Sequence, residues 1–203
     1  MACGLTAALA AGPAPKIFPY SFRQEDLPNG LRLVTVPADF PNIVAVYVVV
    51  ATGSRNEVEP GHTGFAHLFE HLMFKGTEKY PQAKSEAILK QIGPSDNAFT
   101  TDDFTCYHTT FSKEDLETVL AMEADRFQNL KYSEPEFKTE TLAVLGEYNK
   151  NSANPSEKLE ETIAYAAFDK HTYMHTTMEF TTLVVGGRKI SNGERRCHQR
   201  AAG

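Results

Sequence analysis

Two histidines and a glutamate fall within five residues, in the run His67-Leu68-Phe69-Glu70-His71. On a helix, positions i and i+4 lie one turn apart on the same face, so both imidazoles can reach one ion. Glu70 falls on the same arc, about 60° from His67, close enough to act on a water held by the same ion. The order H-x-x-E-H inverts the commoner H-E-x-x-H arrangement of metal-dependent hydrolases. Imidazole nitrogen and carboxylate oxygen are donor types that zinc accepts, and catalytic zinc ordinarily takes three protein ligands and keeps a fourth position open. The chemistry this set can carry is metal-assisted hydrolysis with a carboxylate as proton acceptor.

The helix that must position these groups is itself legible. At about 100° per residue, Phe65, Leu68, Phe69, Leu72 and Met73 share one arc, and His67, Glu70 and His71 share roughly the opposite one. Such a polar arc is usually solvated. Apolar residues crowd this motif, however, so a mostly buried helix is expected. Buried polar groups without partners cost of order 2–7 kcal/mol, and a metal would supply the missing partner. A third ligand should come from another element. The stretch Phe137 to Glu147 reads as a second helix, with Glu140 and Glu147 seven residues apart on one face and small Ala143 between them. That stripe would let a neighbouring helix approach and would aim a carboxylate at the metal. Charged pairs at this spacing are common on solvated helices, so the stripe gains weight only beside the histidine pair.

Taken together, these motifs resemble the N-terminal domain of the pitrilysin/insulinase family, the inverzincins, which includes mitochondrial processing peptidase and many bacterial zinc proteases. The family pattern is H-x-x-E-H followed about 76 residues later by a glutamate ligand, and Glu147 stands 76 positions after His71. A further family glutamate seven positions before the ligand is matched by Glu140. Similar too are Gly53-Ser54-Arg55-Asn56-Glu57, Gly64-Phe65-Ala66, Asn97-Ala98-Phe99-Thr100 and Glu123-Ala124-Asp125-Arg126. The resemblance runs from about Phe18 to Met178.

Carried over residue by residue, the resemblance implies one zinc per chain held by His67, His71 and Glu147. Glu70 would be the general base, and Glu140 a carboxylate that orients a ligand imidazole and raises its basicity. Zinc would lower the pKa of a water to about 7 and polarise a peptide carbonyl. The resemblance also makes Asn97, Ala98 and Phe99 a substrate strand at a sheet edge beside the metal. There it would pair with extended peptide through the backbone, as suits unfolded polypeptide substrates of varied sequence. On the residues alone, Asn97 to Thr100 and Phe104 to Thr109 read as two short strands, which an ordinary internal hairpin would equally explain.

The remaining chain reads as an α+β layer structure. Leu31 to Val36 and Ile43 to Ala51 are strands rich in β-branched residues, the first preceded by an Asn29-Gly30 turn. Helices are expected at about 63–75, 82–92, 113–130, 134–150 and 156–168, with Ser112 and Ser133 as N-caps and Pro155 in a first turn. The family half-domain, an antiparallel-rich sheet with helices packed on one face, agrees. Glu123 falls in register with Leu116, Leu120 and Phe127, so partial burial and a structural pairing with Arg126 are expected. Cys106, His108, His171, His175 and His198 have no spacing that joins the metal set.

A net charge of −6, from 20 basic and 26 acidic residues, argues against a nucleic-acid partner. Cys3, Cys106 and Cys197 form neither a metal spacing nor a disulfide framework. No segment is long and apolar enough to span a membrane. Three regions are expected: a flexible or signal-like segment 1–17, the zinc-peptidase domain 18–178, and a tail 179–203 without family resemblance. Leu5 to Ala11 is like a short signal core with Ala8-Leu9-Ala10 as a small-residue cleavage site, but the basic segment that should precede it is missing. Resemblance to bacterial envelope proteases favours a periplasmic location over a cytoplasmic one. The tail is polar and lacks periodicity, as expected of disorder or of a truncated gene. Family members also carry a second, similarly folded domain that closes over the substrate. The length here leaves no room for it, so a second domain or subunit is expected as partner.

Two other functions share the motif. A non-catalytic subunit or scaffold would normally have lost part of the set His67, Glu70, His71 and Glu147. S-ribosylhomocysteine lyase carries H-x-x-E-H with a cysteine as third ligand, and here Cys106 and Cys197 stand at the wrong separations.

Overall fold

The computed structural model describes residues 18–59, 63–93 and 95–178, and the backbone of 183–185 and 188–190. Expectations for 1–17 and for His198, Cys3 and Cys197 lie outside the described residues, as do those for most of 179–203. The chain divides between Pro41 and Asn42 into two compact units.

The first unit is a hairpin of β1 (Arg23–Asp26) and β2 (Arg32–Thr35), paired antiparallel. Its turn uses Gly30 at φ 87°, a left-handed conformation that glycine adopts without a Cβ penalty. The Asn29 side chain accepts from Leu31 N–H at 3.1 Å, the local turn chemistry expected of Asn-Gly.

The second unit is built on a three-stranded antiparallel sheet in the order β3 (Ile43–Val50), β5 (Thr105–Ser112), β4 (Ser95–Thr100). The two-residue period divides its faces. Thr105, Tyr107, Thr109 and Phe111 of the central strand are buried on the inner face. The Tyr107 ring meets Phe127 edge-on at 5.4 Å and Phe74 at 6.3 Å, which seats the helices against that face. On the opposite face Ile43, Tyr47, Val49 and Phe99 are exposed, and His108 stacks on Tyr47 at 5.5 Å. The architecture is α+β, with helices on one face of an antiparallel sheet. Among the described residues, β4 is an edge strand.

The helices are α1 (Phe65–Leu72), α2 (Gln82–Ile92), α3 (Leu116–Asn129), α4 (Glu134–Asn151) and α5 (Pro155–Ala167). Ser133 and Glu136 form a reciprocal capping box at the start of α4, and Asn154 caps α5 ahead of Pro155. Ser112 differs from expectation. A 3-10 turn, Lys113–Asp115, intervenes before α3, and the Ser112 hydroxyl donates to Glu114 instead of accepting from the helix backbone. A short strand pair, β6 (Leu183–Val185) with β7 (Arg188–Ile190), lies within the stretch expected to lack order.

The core that matters for the site lies between α1 and α4, where Leu68, Leu72 and Val144 are fully buried with Phe137 packed against them. Burial of these three alone removes of order 5 kcal/mol of apolar surface energy from water. The expected apolar arc of α1 is only partly used. Phe65 and Phe69 remain 38% and 46% exposed, whereas His67 and Glu70 are 6% and 8% exposed. The polar arc faces β4 and α4, which supply hydroxyl and carboxylate partners, so its burial is compensated except at His67 Nδ1.

Candidate metal centre

The chain enters α1 through Gly64, at φ 88°. The first N–H groups of a helix lack intrahelical acceptors and carry partial positive charge. Here the Glu57 carboxylate accepts from Gly64 N–H and Ala66 N–H, each at 2.7 Å. Burial pushes the Glu57 carboxyl above the ordinary carboxylate range, with these N–H groups opposing the shift. His175 Nε2 lies 3.2 Å from the Glu57 carbonyl oxygen.

The same short segment grips the β4–β5 turn. Ser54 N–H and Arg55 N–H donate to the carbonyls of Thr101 and Asp102 at 3.3 and 2.9 Å, and the buried Ser54 hydroxyl donates to the Asp102 carboxylate at 2.9 Å. Gly53 permits this approach, since a Cβ there would stand 2.3 Å from the Thr101 carbonyl oxygen. Gly53 to Glu57 therefore brackets the edge-strand hairpin at one end and the start of α1 at the other.

Within that frame three expected ligands converge. His67 Nε2 lies 3.5 Å from Glu147 Oε2, and His71 Nε2 lies 3.6 Å from Glu147 Oε1. The three donor atoms all fall within 4.8 Å of one another. A tetrahedral zinc with bonds of about 2.0–2.1 Å places its ligand atoms roughly 3.4 Å apart, so both the spacing and the donor chemistry fit that ion. Burial, then the neighbouring His71, lowers the His67 pKa to about 4. The ring is thus held neutral, the form that ligates a metal. Its Nδ1 is buried without a hydrogen-bond partner.

His71 is treated differently. Its Nδ1 lies 3.1 Å from Glu140 Oε2, and Glu140 Oε1 lies 2.5 Å from Lys75 Nζ. Burial alone would raise the Glu140 carboxyl, but Lys75 and His71 together outweigh it and hold it below the ordinary range. Glu70 Oε2 accepts from the Thr100 hydroxyl at 2.5 Å. Burial raises the Glu70 carboxyl, with the Thr100 hydroxyl and His71 opposing and the Glu147 charge adding to the rise.

These groups line an open cleft of about 580 Å³, with Asn97, Ala98 and Phe99 of β4 along one side. The strand period turns Ala98 and Thr100 to the inner face, toward α1, and Asn97 and Phe99 to the outer one. Asn97 Oδ1 accepts from Ala98 N–H at 2.9 Å. Cys106 is a buried free cysteine, and Glu123 and Arg126 are paired, with the guanidinium 5.0 Å from the Tyr107 ring centre.

Three residues that serve the site carried no role in the sequence. Lys75 follows His71 by four positions, a helical spacing that could have drawn notice. Thr100 shares with Ala98 the strand face turned toward the metal helix. Glu57 ends a motif whose function no local periodicity reveals.

Residues 33–180 match the family model described as Insulinase (Peptidase family M16). A protein of Rickettsia bellii named as an uncharacterized zinc protease is 32% identical over 148 residues, covering 73% of this chain and 36% of its own length. Core protein I of the mitochondrial ubiquinol–cytochrome-c reductase complex of Euglena gracilis is also 32% identical, over 72% of this chain and 29% of its length. Among solved structures, a protease from Helicobacter pylori superposes with a TM-score of 0.75 at 32% identity, covering 79% of this chain and 39% of that one. The chain thus spans about a third of the length of these relatives.

Proposed function

The chain belongs to the insulinase family, peptidase family M16, and on that premise we propose that it is the metal-bearing half of a zinc endopeptidase acting on unfolded polypeptide. What supports this most directly is the convergence of His67 Nε2, His71 Nε2 and Glu147 beside the Glu70 carboxylate. One zinc per chain is proposed, with His67, His71 and Glu147 as its ligands. Bound there, zinc would supply Lewis acidity toward a peptide carbonyl and make a nearby water more acidic.

The chain's own residues do the rest. The β4 edge at Asn97 to Phe99 pairs with the backbone of an extended peptide and brings a scissile carbonyl over the cleft. Glu70 takes a proton from water as the water oxygen bonds to the carbonyl carbon. It then delivers that proton to the amide nitrogen as the carbon–nitrogen bond breaks. A carboxyl raised by burial is suited to both halves of this exchange. Glu140 fixes the His71 ring through Nδ1, which keeps Nε2 aimed at the metal position.

Effective turnover requires the peptide to be held in register and water to be excluded. We assign that part to a second, similarly folded half, in the same polypeptide or in a partner subunit. A periplasmic or envelope location is proposed with it, on resemblance to bacterial envelope proteases, and cell fractionation tests it. No helix among the described residues is long and apolar enough to cross a membrane. A scaffold role is the weaker alternative, because the full set His67, Glu70, His71 and Glu147 is retained.

The test is metal content after purification and dialysis. About one zinc per chain is expected, and none at stoichiometric level in His71→Ala or His67→Ala. Full retention of zinc by His71→Ala would overturn the ligand assignment.

A further inference from the structure

We propose that Thr100 is the positioning residue of the base: its hydroxyl fixes the Glu70 carboxylate and ties it to the peptide-binding strand. The proposal deepens the peptidase function above and rests on it for the role of Glu70. A glutamate carboxylate turns almost freely about its last torsion, so an unbonded Glu70 would present either oxygen in many directions. One strong donor removes that freedom. Thr100 Oγ1 lies 2.5 Å from Glu70 Oε2. Thr105 Oγ1, 3.4 Å from the Thr100 hydroxyl, donates its own proton to the Thr52 carbonyl at 2.9 Å. A carboxylate oxygen only accepts, and Glu70 Oε2 lies far closer to Thr100 Oγ1 than Thr105 Oγ1 does, so the single Thr100 proton is donated to Glu70. With Oε2 occupied, Oε1 is the oxygen left to take a proton, and no side chain among the described residues hydrogen-bonds it.

The location of Thr100 gives the contact its second meaning. Thr100 is the last residue of β4, two places beyond Ala98 on the same inner face. It also pairs with Thr105 at the end of the ladder, just ahead of the turn gripped by Gly53 to Arg55. The strand that would pair with peptide and the carboxylate that would take the proton are thus joined through one side chain. A displacement of the edge strand would be transmitted to the base without passing through the metal ligands. Valine preserves the shape and strand propensity of Thr100 and removes only the hydroxyl.

The experiment compares wild type, Thr100→Val and Thr100→Ser in two readouts. The first is the Glu70 side-chain carboxyl carbon resonance of the metal-free chain at one fixed, mildly alkaline pH, assigned by its loss in Glu70→Gln. Thr100→Val is expected to move that resonance and Thr100→Ser to restore it. The second is peptide cleavage by the zinc-loaded chain together with its complementary half. There Thr100→Val should lower kcat by about 10- to 100-fold, the range for a hydrogen bond to a charged group, with KM within a few-fold and zinc content unchanged. Thr100→Ser should recover most of kcat. An unmoved resonance, or a rise in KM with kcat intact, would overturn the proposal. Should Glu70→Gln remain active, the role of Glu70 as base fails, and the resonance still decides separately whether Thr100 holds the carboxylate.

Discussion

His71 Nδ1 lies 3.1 Å from Glu140 Oε2, so one carboxylate on α4 faces the back of an imidazole whose front faces Glu147 on the same helix. Because Glu140 and Glu147 are two helical turns apart, α4 grips the ring from both sides. Lys75, on the turn that follows α1, holds the other oxygen of Glu140 at 2.5 Å. The charge of Glu140 is thereby balanced before any metal binds. Glu140→Gln should keep the fold while weakening zinc by about 10- to 100-fold, the usual cost of losing such a supporting carboxylate. Competition with a chromophoric chelator measures it, and unchanged affinity would show that Glu140 serves only Lys75.

Glu70 and the ligands should separate cleanly. Glu70→Gln is expected to hold zinc as wild type does, since Glu70 is not among the three converging groups. The amide cannot accept a proton from water, so cleavage should fall by at least 100-fold in any assay where wild type is active. Activity preserved within a few-fold would remove Glu70 from the role of base.

Acid should destabilise the metal-free protein through His67. Its folded pKa is lowered to about 4, chiefly by burial. The ring is neutral in both states above the unfolded value of about 6.5, where the native state bears no penalty. As pH falls from about 6.5 toward 4, the unfolded chain takes up the proton first, and stability is lost by an order of 2–3 kcal/mol. Urea midpoints across that window should fall for wild type and fall less for His67→Gln. Parallel curves would mean that other groups govern the acid limb.

Much of this was written in local sequence. The starts of α4 and α5 are announced by Ser133 and Pro155, because capping and first-turn preferences are short-range chemistry, and Glu136 and Asn154 complete them in the structure. The pairing of His67 with His71 follows from one helical turn. The outward turn of Phe65 and Phe69 was not legible. A periodicity count assigns apolar residues to the interior, and only the arrival of β4 and α4 makes the polar arc the better one to bury. Thr100 and Lys75 escaped for a related reason. Their partners Glu70 and Glu140 are distant in sequence, and long-range hydrogen bonds leave no spacing to count. Glu57 likewise caps a helix from outside it, seven residues before Gly64.

Unaided, these 203 residues should hold zinc but turn over little peptide. The three converging groups, Glu70 and the edge strand all lie between His67 and Glu147, and they are carried by α1, β4 and α4 around one buried core. Zinc binding should therefore need nothing more. Turnover should need more, because the cleft beside β4 is open and a strand-added peptide touches it from one side only. A peptide so held retains water around the scissile bond and samples many registers, and both lower the effective concentration of the reacting groups. Zinc-loaded chain alone should give little cleavage of an unfolded polypeptide. Adding the complementary half, in cis or in trans, should raise chelator-sensitive turnover by at least 100-fold, with Glu70→Gln in the combined protein returning it to background. Robust cleavage by the chain alone would show that the β4 edge and the metal helix suffice to hold peptide in register.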